Sequence, residues 1–149
     1  MRAAMPDHPR DAIAALVYRY AELLDGGELD ALADLFAQAT LRSNQRAAVR
    51  RGREEALALY RDTVILYDGS PCTKHVLTNL IVELDGEATT AAAQSHFTVL
   101  QARPELPLQA VLAGRYHDRF ACHGGTWHFT DRLILVDLLG DLRWHARRR

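Results

Sequence analysis

Apolar residues recur at three- and four-residue steps through the first part of the chain and switch to alternation after about residue 73. In "PRDAIAALVYRYAELL", residues 9–24, Ile13, Leu16, Val17, Tyr20 and Leu24 trace one face of an amphipathic helix. Asp7 is placed to cap this helix, Pro9 is tolerated in its first turn, and "DGG" breaks it at Asp25. A shorter helix follows in "ELDALADLFAQ", with Leu29, Leu32, Leu35 and Phe36 turned inward. "TLRSN" reads as a short strand. A third helix runs through "GREEALALYRDTVILY" from Gly52 and stops at "DGSP".

From Thr73 onward four runs read as strands: "TKHVLTNLIVEL", "TTAAAQSHFTVLQA", "LQAVLAGRYHDRFAC" and "TWHFTDRLILVDL". The segments between them, "DGEA", "RPELP" and "HGG", are turn-like. Long strands joined by short turns predict a strongly bent antiparallel meander. Helices first and strands afterwards predict an α+β fold, with the helices covering one face of a curved sheet. That packing leaves a cone-shaped hollow between the layers, where small-molecule sites form. With no repeat or linker in view, the expectation is one domain over residues 1–149, with flexible ends at 1–8 and 146–149.

Two polar residues stand inside the first long strand run. With a period of two, His75, Leu77, Asn79 and Ile81 share a face, which is either solvent or the wall of a pocket. Asn79 is then either a second hydrogen-bonding group beside His75 or a surface asparagine. Asp25 is a turn residue before Gly26 and Gly27, or a functional carboxylate. Taken together, Asp25 and His75 form a natural pair: a carboxylate beside an imidazole fixes its tautomer, holds its orientation and favours the imidazolium, giving an acid or base that works near neutral pH.

Composition adds mainly exclusions. Hydrophobic residues make up 48% and charged residues 25%, with a formal net charge of −1, so no overall field draws the chain to nucleic acid or to a membrane. The C-terminal "RWHARRR" is the local exception and reads as a solvated, mobile charge run. No apolar run is long enough for a transmembrane helix, and the N-terminus lacks the apolar core of a signal peptide. Two cysteines, Cys72 and Cys122, make no disulfide framework and fit a reducing cytoplasm. His117, Cys122, His123 and His128 are of types that bind zinc, but they lack metal-ligand spacing, and "HGG" is better read as a hairpin turn. No glycine-rich phosphate loop and no GxSxG setting occur, so no cofactor is expected.

The segments "YAELLDGGELDALADLFA", "GREEALALY", "KHVLTNLIVELDG", "GRYHDRF" and "TWHFTDRLILVD", taken in order, resemble the SnoaL-like branch of the nuclear transport factor 2-like superfamily over about residues 9 to 145. The resemblance implies a cone-shaped α+β barrel with an apolar pocket, commonly dimeric through its sheet. In two members, scytalone dehydratase and bile-acid 7α-dehydratase, an aspartate after the first helix pairs with a histidine on the first long strand. Asp25 and His75 match those positions, and Tyr20 matches a site tyrosine of the bile-acid enzyme. Leu24 replaces a tyrosine of scytalone dehydratase, and Gln101 lies near the place of that enzyme's second histidine, which argues against scytalone-type chemistry. The resemblance also turns the face of Gly114, Tyr116, Asp118 and Phe120 inward. Asp118 is then an acid, a group that orients a substrate hydroxyl, or the salt-bridge partner of Arg132 on the next strand.

Two functions follow from this reading. The first is a cofactor-independent dehydratase, isomerase or cyclase working on a small, apolar, oxygenated molecule such as a polyketide or steroid-like compound. Its catalytic residues are Asp25, His75 and Tyr20, with Asn79, Gln101, Tyr116, Asp118 and Phe120 against the substrate. The second is a ligand-binding or dimerisation module with the same pocket and no reaction.

Overall fold

In the computed structural model, which describes residues 8–147, three helices precede the long strands as the patterning predicts. Helix α1 spans Pro9–Asp25, α2 Leu29–Asp34 and α3 Gly52–Thr63. The strands are β1 Thr40–Ser43, β2 Arg46–Arg51, β3 Thr73–Leu84, β4 Thr90–Arg103, β5 Leu106–His123 and β6 Thr126–Leu139. Asp7 lies outside the described residues; the N-cap of α1 is His8, whose ring Nδ1 accepts from the Arg10 N–H at 3.2 Å. Helix α3 ends four residues before the sequence pattern does, because Val64 is already extended (φ −79°, ψ 130°). The run Thr63-Val64-Ile65 is β-branched throughout and costs little to release from a helix. Strand β2 escaped the pattern, since "RAAVRR" is a largely exposed edge with no apolar alternation to show it.

The strands form one sheet in the order β2-β1-β6-β5-β4-β3. All neighbours are antiparallel except β1 and β6, which run parallel. The α+β architecture of helices on a curved sheet is as expected; the sheet is mixed and does not close into a barrel. Register shifts along β3, β4, β5 and β6 bend the long strands. At the bend in β5, a methyl on Gly114 would lie 2.0 Å from the Leu135 carbonyl oxygen and 2.9 Å from the Phe97 ring, so only glycine fits there.

The shift in β3 overturns one expectation. Thr78 pairs with His96 and Ile81 with Gln94, so two residues of β3 oppose one of β4, and Asn79 takes the left-handed backbone (φ 55°). His75 and Leu77 face the helices, but beyond the bulge the inward set becomes Leu80, Val82 and Leu84. Asn79 and Ile81 are exposed, and Asn79 is not a pocket residue.

Between helices and sheet the core is sealed by Ile13, Val17, Leu32, Phe36, Val99, Val111, Phe120 and Phe129. Past β6 the chain does not drift away. The Arg147 N–H donates to the Thr63 carbonyl at 2.9 Å, and Ala146 bridges to Val64, so the expected loose end is docked as far as residue 147. Residues 1–7, 148 and 149 of the expected flexible ends lie outside the described residues.

Candidate functional site

Asp25 is the last residue of α1, and its carboxylate reaches the start of β3. One oxygen, Oδ2, accepts the His75 backbone N–H at 2.8 Å. The other, Oδ1, accepts the Thr73 hydroxyl at 2.8 Å and lies 2.6 Å from His75 Nδ1. Backbone devices bring the two elements together. Gly27 (φ 70°) is packed so closely on the Gly69 carbonyl that a side chain would lie 2.0 Å from it. Cys72 takes the left-handed region (φ 58°) immediately before Thr73. Burial raises the Asp25 pKa, but the hydrogen bonds and charge of His75, with the Thr73 hydroxyl, outweigh it and leave the carboxyl lowered. An ionised carboxylate only accepts, so Nδ1 carries the hydrogen and Nε2 is the nitrogen left for exchange with a ligand. The imidazole side chain is 5% exposed.

His75 borders two spaces. Outside α1 lies an open surface cleft against Tyr18, Glu22, Lys74 and Leu77. Inside is a cavity of about 150 Å³ walled by Leu24, Val64, Phe97, Val99, Leu112 and Ile134. The inner space is the better candidate, because an apolar, water-poor wall strengthens every charge interaction made within it. Its polar groups are His75, His145, Thr63, Thr73 and the ring ends of Tyr20, Tyr60 and Tyr116. The Tyr20 and Tyr60 hydroxyls meet at 2.9 Å. Tyr116 stacks on Phe97 at 4.4 Å between ring centroids, with Tyr20 edge-on to it at 5.6 Å. Burial, and then the neighbouring Tyr20, raise Tyr60 and Tyr116 well above the ordinary tyrosine pKa, so both remain neutral phenols.

His145 is the residue that the sequence reading missed. It follows β6 in the segment read as a solvated charge run, yet it lines the cavity. Burial and then the charge of His75 push its pKa down to about 4, with partial relief from Asp25, so its imidazole is neutral at pH 7. Its Nδ1 is buried with no hydrogen-bond partner among the described residues. The backbone around it is held. Trp144 offers its carbonyl to Gln101 Nε2 at 3.0 Å and to the Tyr67 hydroxyl at 2.7 Å. The available signal was Leu142 and Trp144, both partly buried against the core and out of place in a solvated tail.

Other expected substrate contacts have different work. Asp118 forms a two-point ion pair with Arg132 (2.7 and 2.8 Å), and both side chains are fully buried. Asp118 is absent from the cavity wall, which leaves the salt bridge as its reading. The guanidinium lies 3.9 Å from the Tyr116 ring centroid and 4.2 Å from that of Tyr20. Burial opposes its charge, and Asp118 more than restores it. The pair thus supports the two tyrosines from behind. Gln101 donates to the Pro71 carbonyl as well as to Trp144, both at 3.0 Å, and so ties the loop before β3 to the C-terminal segment. Phe120 packs on Phe129 at 4.7 Å in the core, away from the cavity. Of the expected site residues, the cavity brings together Tyr20, His75 and Tyr116, with Asp25 directly behind His75.

The chain and its fold are similar to known proteins. A SnoaL-like domain profile matches residues 8–133. No functionally curated protein matches the sequence. Among solved structures, an NTF2-like protein with a cystatin-like fold from Novosphingobium aromaticivorans superposes with a TM-score of 0.71 at 21% identity, covering 86% of this chain and 81% of that one. A putative scytalone dehydratase from the same organism gives 0.69 at 22% identity, covering 87% and 84%. A function-unknown protein from Mycobacterium tuberculosis gives 0.68 at 25% identity, covering 93% and 79%.

Proposed function

The chain belongs to the SnoaL-like domain family, and on that premise we propose that it is a cofactor-independent acid–base enzyme: a dehydratase, isomerase or cyclase for a small, largely apolar, oxygenated molecule. The observation that carries this reading is the His75–Asp25 contact of 2.6 Å at the wall of a small, largely apolar cavity. His75 Nε2 exchanges a proton with the ligand, and Asp25 holds the ring and stabilises the imidazolium. The phenols of Tyr20, Tyr60 and Tyr116 receive the ligand oxygen.

Size narrows the class. A space of about 150 Å³ holds one ring of benzene dimensions. His145, Leu112 and Ala146 also border a larger outer pocket of about 610 Å³. A polyketide or steroid-like substrate would place only its reacting ring inside and extend past His145 into that outer space. The small inner volume equally suits the second reading, a module that binds a ligand without reaction. Exposed Val76, Ile81 and Leu138 on the sheet are candidates for a homodimer surface.

A panel of small cyclic hydroxyketones and enones tests the reaction. Once one is turned over, His75→Gln and Asp25→Asn are each expected to lower kcat by about 10² to 10⁴, the usual worth of a positioned acid or base. Turnover at the wild-type rate by both variants, with their circular dichroism unchanged, would remove the dyad from catalysis.

A further inference from the structure

The proposed dyad leaves the second imidazole of the cavity without a task. His145 lines the same space as His75, though it comes from the far end of the chain. The titratable groups on that wall are Tyr20 from α1, Tyr60 from α3, His75 from β3, Tyr116 from β5 and His145 itself, with no carboxylate among them. Asp25 stands behind His75 and, of the two imidazoles, is in hydrogen-bond contact with that one. The two imidazoles therefore have opposite preferences: one is backed by a carboxylate, and the other is buried without one and disfavoured as a cation by the first. Divergent environments of this kind separate acid from base. The backbone that carries the neutral ring is held in place. The His145 backbone N–H donates to the Leu142 carbonyl at 3.0 Å, Trp144 is held on one side, and Ala146 bridges to Val64 on the other.

We propose that His145 is the general base, and Asp25-held His75 the general acid, in the elimination of water from a small β-hydroxy ketone lying between them; this rests on the dyad reading above. The unprotonated His145 nitrogen takes the proton on the carbon next to the carbonyl. The C–H electron pair becomes an enolate whose oxygen is held by a phenol O–H. The enolate then collapses to the C=C bond as the C–O bond breaks, and His75 Nε2 gives its proton to the departing hydroxyl. Enone and water are formed, and the proton gained by His145 returns to His75 through solvent. No oxidant, reductant or metal enters the balance.

Two probes separate the roles. Exchange of the α-protons of cyclohexanone in D₂O, followed by NMR, needs only the base. Dehydration of 3-hydroxycyclohexanone to cyclohexenone, followed by enone absorbance, needs both groups. His145→Gln is expected to slow both reactions about 100-fold with KM little changed. His75→Gln is expected to slow dehydration to a similar extent but exchange less than tenfold. In the wild type, exchange should fall off below about pH 4, where His145 takes up its proton, and His145→Gln should lose that limb. If exchange survives in His145→Gln and disappears in His75→Gln, His75 is the base; this proposal falls and the dyad stands. If both variants stay folded and match the wild type, or the wild type acts on neither probe, both readings fall.

Discussion

Two imidazoles share one small cavity, and the contrast between them is a property of single residues that stability measurements can read without any substrate. In the unfolded chain His145 titrates near 6.5, whereas burial and His75 hold it near 4 in the fold. Between those values the unfolded chain binds a proton that the folded one refuses, so stability falls as pH drops from about 6.5 to about 4 and is unaffected by this group below that. The difference is on the order of 3 kcal/mol across the interval. Asp25 acts in a separate window: its folded pKa is lowered below 3.8, so its contribution is complete above that value and is lost only as pH falls further. Urea denaturation at pH 7.5 and pH 4.5 should therefore show a loss in the wild type that His145→Gln largely removes. Asp25 and His75 were legible as a pair mainly through the family resemblance, since a carboxylate after a helix and a histidine in a strand each keep an ordinary structural reading on their own. His145 was not. Three arginines at the chain end gave the segment a solvated look, and only its backbone partners on distant elements fix it in the wall.

At the scale of the element, β3 shows how one residue redirects a face. "VLTNLIVEL" carries apolar residues at both odd and even positions, so alternation alone supports two registers. The left-handed turn at Asn79 selects between them: it keeps His75 and Leu77 inward, then hands the inward face to Leu80, Val82 and Leu84. Bulges of this kind depend on pairing with the neighbouring strand and leave no composition signal of their own. Asparagine tolerates positive φ far better than a β-branched residue does. Asn79→Val should accordingly cost about 1–2 kcal/mol in chemical denaturation, while turnover by the folded fraction stays at the wild-type level. A large fall in kcat would return Asn79 to the site. The helices and the four long strands were legible for the complementary reason: their periodicity reflects burial against one another. The exposed strand β2, which buries little, was not.

For the whole molecule, the cavity is a joint product of distant parts of the chain. Helix α1 supplies Asp25 and Tyr20, α3 supplies Tyr60, the sheet supplies His75 and Tyr116, and the C-terminal segment closes the wall with His145. Gln101 couples two of these parts through its pair of hydrogen bonds to Pro71 and Trp144. Gln101→Leu should remove the side-chain donor from the Pro71 carbonyl and leave the Trp144 carbonyl with Tyr67, lowering stability by about 1–3 kcal/mol. It should also lower kcat more than it raises KM, since the base is loosened while most of the cavity wall is kept. Unchanged kinetics in a measurably destabilised variant would show that the C-terminal segment holds its place without this link.

The buried phenols have one more consequence. The Tyr20 and Tyr60 hydroxyls share one hydrogen bond of 2.9 Å in which either can donate. Two hydrogens serve one link, which leaves one to spare, and it emerges at one end of the pair or the other. Rotation of the O–H bonds alone reverses the polarity, with no heavy atom displaced. A ligand oxygen that accepts draws the spare hydrogen to itself, and a ligand hydroxyl that donates sends it to the opposite end. The same two side chains can thus meet either a hydroxyl or a carbonyl oxygen, and a cavity lined in this way is amphoteric without being flexible.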